Sequence, residues 1–204
     1  MTIDFQQARF AMVEQQVRPW EVLDPRVLET LMSVRREDFV PPRHRKLAFA
    51  DLPLPLEHGE VMMKPVVEGR MLQAMAITPG DDVLEVGTGS GFVTACLAAL
   101  ARDVTSIDRH ADFVERTRAR LVAESITNVR VETADVFTWT PGRQFDAICI
   151  TGAVATDPDR FGAWLKPGGR LFVIHGQAPV QEAVLITRHG DSFHRESLFE
   201  TDVP

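Results

Sequence analysis

The sequence predicts an α/β fold: a Rossmann-like, mostly parallel sheet closed by a C-terminal antiparallel hairpin and preceded by N-terminal helices. Three observations predict it. From about residue 66 onward, strand-like runs alternate with helix-like segments, the order that builds a parallel sheet. The runs Val83–Val86, Phe145–Ile150 and Arg170–Ile174 are almost wholly apolar, as strands covered on both faces are. Between the first run and the helix after it lies the turn Gly87-Thr88-Gly89-Ser90-Gly91, where bare backbone can approach a ligand.

The elements follow in order. Phe10, Val13 and Val17 recur at helical spacing. A second helix starts with Asp24 as N-cap and Pro25 in the first turn, and gathers Val27, Leu28, Leu31 and Met32 on one face for core packing. Pro41-Pro42 end whatever precedes them. Residues 48–65 contain Pro53, Pro55, Pro65 and Gly59, and are expected to be extended and irregular. A helix over Val66–Ala76 leads to the turn Thr78-Pro79-Gly80. Strands are then expected at Asp82–Val86, Val104–Asp108, Val129–Thr133, Phe145–Ile150 and Arg170–Ile174. Helices fall at Phe92–Ala101, Ala111–Ser125 and, shorter, near Asp159–Leu165. Glu182–Thr201 reads as two strands joined at His189-Gly190-Asp191, with Gly190 supplying the positive φ of the turn. Residues 1–65 thus form an N-terminal extension and residues 66–204 the core, together one compact unit.

Bulk properties narrow the function. The 204 residues suffice for one sizeable core, and 45% apolar with 25% charged residues is ordinary for a soluble globular chain. A formal charge of −7 points away from a nucleic-acid binder. The basic run Arg43-His44-Arg45-Lys46, with Arg35 and Arg36, reads as a solvated face. Cys96 and Cys149 lie far apart inside apolar runs and read as buried, reduced thiols. The six histidines show no metal-ligand spacing, so no metal is assigned, and His175 reads as a loop residue. The N-terminus lacks a basic region followed by an apolar stretch, and no window reaches the roughly 20 apolar residues of a membrane span, so a cytoplasmic location is expected.

The glycine turn carries most of the functional information. Its GxGxG spacing puts Phe92 where the dinucleotide fingerprint needs a glycine. Asp108 closes the next strand about 20 residues on, where an acid can accept both ribose hydroxyls of an adenosine. Asp135 follows the third strand, where a carboxylate can accept from an adenine amino group. Leu165-Lys166-Pro167-Gly168-Gly169 precedes the fifth strand, as in many methyltransferases that use S-adenosylmethionine (SAM). SAM is a sulfonium cation without phosphates, and an acidic site suits it better than it suits a pyrophosphate. The expected cofactor residues are Glu85, Gly87, Thr88, Gly89, Ser90, Gly91, Asp108, Arg109, Asp135 and Val136, at the C-terminal ends of the first three strands.

Three blocks together are more specific than any generic methyltransferase motif: Val34-Arg35-Arg36-Glu37-Asp38-Phe39-Val40-Pro41, Ala48–Pro55, and the EVGTGSGF turn continuing to LKPGGRL. From about residue 12 to its end the chain resembles the protein-L-isoaspartate O-methyltransferases, class I SAM-dependent enzymes. The resemblance implies SAM as cofactor and methyl transfer to the free carboxylate of an isoaspartyl residue in a damaged protein or peptide. Such a carboxylate is already ionised at pH 7, so no general base is required and no catalytic residue is assigned.

The family's substrate loop reads G-Q-T-I-S, with its serine in the active-site role; here the stretch is Gly59-Glu60-Val61-Met62-Met63-Lys64-Pro65. Met63 stands at the serine and Val61 at the threonine, so two hydroxyl donors are replaced by apolar groups. Leu54, Val61, Met62, Met63 and Thr151 are the expected substrate-pocket residues; for Thr151 a capping role competes. Two other readings stay open: a methyltransferase of the same fold with another acceptor, and a SAM-binding regulatory protein that transfers nothing.

Overall fold

The computed structural model describes residues 3–203; residues 1, 2 and 204, the outer ends of the two expected segments, lie outside the described residues. Helix α1 (Phe5–Met12) starts at Asp4, whose side chain accepts from the Gln7 amide, and runs into a π-helical turn over Val13–Val17. Val13 and Val17 are fully buried, whereas Phe10 is 54% exposed and lies off the core-facing stripe. Helix α2 (Pro25–Ser33) has Asp24 as N-cap, accepting from the Arg26 amide, and buries Val27, Leu28 and Leu31 as its periodicity predicts.

Beyond α2 the chain is irregular. A 3₁₀ turn over Pro42–Leu47 carries Arg43, Arg45 and Lys46 into solvent. Arg36 does not belong to that solvated face: it is fully buried, because its guanidinium has three partners inside the protein. The proline-rich stretch contains a minimal antiparallel pair, β1 (Leu54–Pro55) with β2 (Val61–Met62). Helix α3 (Pro65–Met75) follows.

The core then alternates as expected: β3 (Asp82–Val86), α4 (Phe92–Leu100), β4 (Asp103–Asp108), α5 (Ala111–Ala123) and β5 (Val129–Thr133). Next come β6 (Phe145–Val154), a 3₁₀ turn over Pro158–Trp164, β7 (Leu165–Gln177), β8 (Val180–His189) and β9 (Ser192–Thr201). The seven-stranded sheet has the order β5-β4-β3-β6-β7-β8-β9. All pairs are parallel up to β7, and the β7–β8 and β8–β9 pairs are antiparallel. Strands β6 and β7 outrun their expected ends by several residues. His175 consequently sits in β7, not in a loop, with Nδ1 3.0 Å from the Val154 carbonyl oxygen of β6.

The chain winds outward from β3 in one direction through β4 and β5, and in the other through β6 and β7. The C-terminal ends of β3, β4 and β6 therefore meet at a switch point, the place where open α/β sheets bind ligands. One face of the sheet is covered by helices around Met71, Phe92, Leu97 and Phe113. The opposite face, around Leu84, Ile107, Ile148 and Phe161, has a thinner cover in which Trp139 and Trp164 meet edge to face with centroids 5.8 Å apart. Cys96 and Cys149 are buried and unbonded to each other, and Cys149 Sγ lies 3.1 Å from Met71 Sδ.

Candidate active site

The glycine turn leaves β3 and enters α4. Gly87, Gly89 and Gly91 all have positive φ, at 97°, 52° and 84°. Space forbids side chains here as well. A Cβ on Gly87 would lie 2.3 Å from Thr151 Oγ1, and one on Gly91 would lie 2.7 Å from Thr117 Oγ1. The turn is also tied down by Asp108, whose Oδ2 accepts from the Gly89 amide at 2.9 Å.

Beneath the turn runs a buried polar chain. Thr88 Oγ1 lies 2.6 Å from Ser106 Oγ, and Ser106 donates to Glu85 Oε2 at 2.6 Å. Thr94 donates to the same oxygen at 2.5 Å, while Glu85 Oε1 is buried without a partner. Burial pushes the Glu85 carboxyl up to about 8, against two hydroxyl donors that pull it down. Glu85 thus points into this network and does not reach the cleft above it, contrary to its expected place among the cofactor residues. Its position next to the turn is a packing role: it ties β3 to β4 and α4.

Above the turn opens a cleft of about 850 Å³, part of it open to solvent. Gly87, Gly89, Asp108, Arg109, Asp135 and Val136 line it, so six of the expected cofactor residues converge. Asp108 accepts the His110 amide on Oδ1 and the Gly89 amide on Oδ2, each at 2.9 Å. A carboxylate has about four lone-pair sites, so two remain for a pair of vicinal hydroxyls. Asp135 accepts the Phe137 amide on Oδ1 at 2.9 Å and is otherwise free to accept from a ligand amino group. Ile107, Ala134, Phe137 and Ile150 add apolar wall suited to a flat ring. The residues present therefore fit an adenosine. Thr88 and Ser90 face a smaller cavity on the far side of the turn, and Gly91 shapes the turn without lining either space.

That smaller cavity shares Gly87, Gly89, Val61 and Thr151 with the cofactor cleft as wall residues, and its other walls include Met62, Met63 and Glu68. Four of the expected substrate-pocket residues are thereby brought together. The fifth, Leu54, is fully buried in the core on the inner side of β1. Leu56, two residues on, is the one that lines the cofactor cleft and approaches Gly89. Thr151 serves both roles considered for it: its hydroxyl hydrogen-bonds to the carbonyl oxygens of Gly87 (2.7 Å) and Val86 (3.1 Å), while its side chain borders both cavities.

The sequence did not single out the strap across the cleft. His58 and His110 stack in parallel with centroids 4.1 Å apart, and Phe113 meets both rings edge-on. His58 Nε2 lies 2.8 Å from Asp112 Oδ1, Arg116 donates to Glu57 at 3.0 Å, and His110 is 3.4 Å from Glu60. The loop between β1 and β2 is thus fastened to the start of α5. One signal was available: His110 follows Asp108-Arg109 directly and precedes a helix, a position that must overhang the ribose acid.

Comparison with known proteins agrees with this geometry. Residues 7–201 match the family model described as protein-L-isoaspartate(D-aspartate) O-methyltransferase (PCMT). A protein-L-isoaspartate O-methyltransferase of Methylorubrum extorquens is 39% identical over 188 residues, covering 92% of this chain and 82% of the relative. One from Koribacter versatilis is 35% identical over 191 residues, covering 93% and 86%. Among solved structures, a Plasmodium falciparum chain described as a protein-L-isoaspartate O-methyltransferase in complex with S-adenosyl-L-homocysteine superposes with a TM-score of 0.82. It shows 17% identity and covers 99% of this chain and 97% of its own. The fold, the placement of the cleft at the switch point and the match along almost the whole sequence lead to one assignment: the chain belongs to the protein-L-isoaspartate O-methyltransferase family of SAM-dependent enzymes.

Proposed function

We propose that this chain methylates the free carboxylate of isoaspartyl residues in proteins or peptides. The observation that carries the reading is the shared wall at Gly87 and Thr151, across which the cofactor cleft adjoins the cavity walled by the loop Val61–Met63. A cofactor lying over the glycine turn and an acceptor lying under that loop would meet there. Asp108 would hold the ribose, Asp135 the adenine amino group, and Arg109 and Val136 would close the sides. When bound, SAM supplies an electrophilic methyl group: an O–CH₃ bond forms on the acceptor as the S–CH₃ bond breaks. The chain's own contribution is placement and exclusion of water, because the acceptor is ionised without help. Residues 1–65 act as the acceptor-side extension of a single unit.

With Met63 and Val61 in place of hydroxyl donors, the side chains of the loop offer the carboxylate no hydrogen bonds, so main-chain groups carry recognition. Labelled-methyl transfer to a peptide containing isoaspartate, with the aspartyl peptide as control, tests the function. Transfer to the first alone supports it, and absence of transfer to both overturns it. In the same assay Met63→Ser with Val61→Thr is expected to raise kcat/KM for the peptide about tenfold, in the range of one hydrogen bond to a charged group. No described helix is long and apolar enough to cross a membrane. Two buried, unpaired thiols suit a reducing compartment, which supports a cytoplasmic site of action. Cell fractionation checks that location.

A further inference from the structure

The acceptor loop is gripped from behind by a residue that touches neither cavity. Arg36 is fully buried and uses its planar fork on three separate segments. Nε donates to the Ala48 carbonyl at 2.8 Å and Nη2 to the Met63 carbonyl at 2.9 Å, while Nη1 pairs with the Glu68 carboxylate. The same guanidinium lies 4.7 Å from the ring centroid of Phe92, the first residue of α4 after the glycine turn. Glu68, itself 1% exposed, is on α3 and forms part of the wall of the smaller cavity opposite Thr88 and Ser90. One side chain therefore links the acceptor loop, helix α3 and the entry to the cofactor helix.

From this convergence we infer that Arg36 and Glu68 form a positioning pair, which sets the loop Val61–Met63 at its distance from the glycine turn and so places the acceptor against the methyl donor. Arg36 holds the main-chain oxygen of Met63, so the placement is independent of the side chain at that position. This explains how the loop keeps its shape although the serine and threonine of the family pattern are absent. The geometry also specifies arginine. A lysine has one ammonium and no fork, and cannot span carbonyls on two segments together with a carboxylate on a third. Displacing reacting groups by about 1 Å costs on the order of a hundredfold in rate, while cofactor binding over Asp108 and Asp135 is untouched.

The inference rests on the proposed reaction only for its kinetic arm, so two further measurements accompany the rate. Arg36→Lys and Glu68→Gln are compared with the wild-type chain by calorimetry with S-adenosylhomocysteine, by hydrogen exchange and by turnover on an isoaspartyl peptide. The expected result for Arg36→Lys is S-adenosylhomocysteine affinity within about threefold of wild type and kcat lower by about tenfold or more. Amide exchange should be faster at residues 61–64 while the glycine turn keeps its protection. Glu68→Gln is expected to shift the same readouts in the same direction by less, since glutamine retains an acceptor for Nη1. If wild-type chain fails to methylate the peptide, the proposed function falls, yet the exchange and binding arms still decide the positioning role. Unchanged exchange at residues 61–64 in both variants overturns it. So does loss of S-adenosylhomocysteine affinity in proportion to kcat, or failure of both variants to fold, either of which makes the pair a general structural brace.

Discussion

Glu85 shows how a carboxyl beside a cofactor site can be committed to the scaffold. It accepts from Ser106 and Thr94 through one oxygen, and burial raises its folded pKa to about 8 from an ordinary value of 4.5. A raised carboxyl pKa means that the folded state binds a proton the unfolded state has released. Its contribution is therefore most favourable below the unfolded value and declines as pH rises from 4.5 toward 8. Glu85→Gln is expected to gain stability relative to wild type across that interval, measured by denaturant titration at several pH values. Asp108 behaves differently, because its oxygens face the cleft. Asp108→Ala is expected to weaken SAM binding by about two orders of magnitude or more, the loss of two hydrogen bonds to a charged group, with calorimetry as the check. At this scale the sequence was informative where a local motif fixes the backbone, as at Gly87 and Gly89, whose positive φ the glycine spacing anticipates. It misled where a residue's place depends on partners far away in sequence. Leu54 and Leu56 cannot be told apart in a proline-rich run, yet one is core and the other lines the cleft. Arg36 looked like one more charge in a basic run because its partners lie 12, 27 and 32 residues away.

Elements were legible in proportion to their regularity. The Asp24-Pro25 start of α2 and the full length of β3 and β5 follow from capping and apolar pattern alone. Asp24→Ala is expected to cost about 1 kcal/mol of stability through loss of the N-cap bond to the Arg26 amide, read from chemical denaturation. The extra residues of β6 and β7 were not legible: Gly176 carries no strand signal and is recruited by pairing with Gln181, while the end of β6 resumes pairing at Ala153 only after an irregularity beyond Cys149. The strap of His58 and Glu60 over α5 was equally hidden, since its contacts join segments about 50 residues apart.

For the whole molecule, two pairs of acids have opposite pH behaviour. Burial raises the Glu68 and Glu85 carboxyls, to about 7 and about 8, although Arg36 beside Glu68 counters part of that cost. Asp81 and Asp82 end below the ordinary 3.8: burial raises Asp81, but Thr78 and Arg170 outweigh it, and Arg102 and Lys166 lower Asp82. Depressed carboxyls contribute stability that is present above 3.8 and lost as pH falls through their folded values. Raised ones contribute stability that diminishes between 4.5 and about 8. The melting temperature is therefore expected to fall from about pH 5 toward about pH 8.5 and, separately, on strong acidification, a profile that scanning calorimetry would trace. The fold class was legible from the glycine turn and the alternation, as a mostly parallel sheet closed by an antiparallel hairpin, whereas the strand order rests on pairings between segments distant in sequence.

The two cysteines give this molecule a timer. Both thiols are buried, and burial holds their pKa values well above the ordinary thiol range, so in the folded chain neither is a nucleophile at neutral pH. They lie on α4 and β6, both inside the main hydrophobic core, so a reagent reaches them only when the central layer of the protein comes apart. Alkylation of the native chain should accordingly proceed at the frequency of that opening, and bound cofactor should slow both sites together. The chain would thus keep both thiols out of reach for as long as it stays folded, and tagging them would count how often it does not.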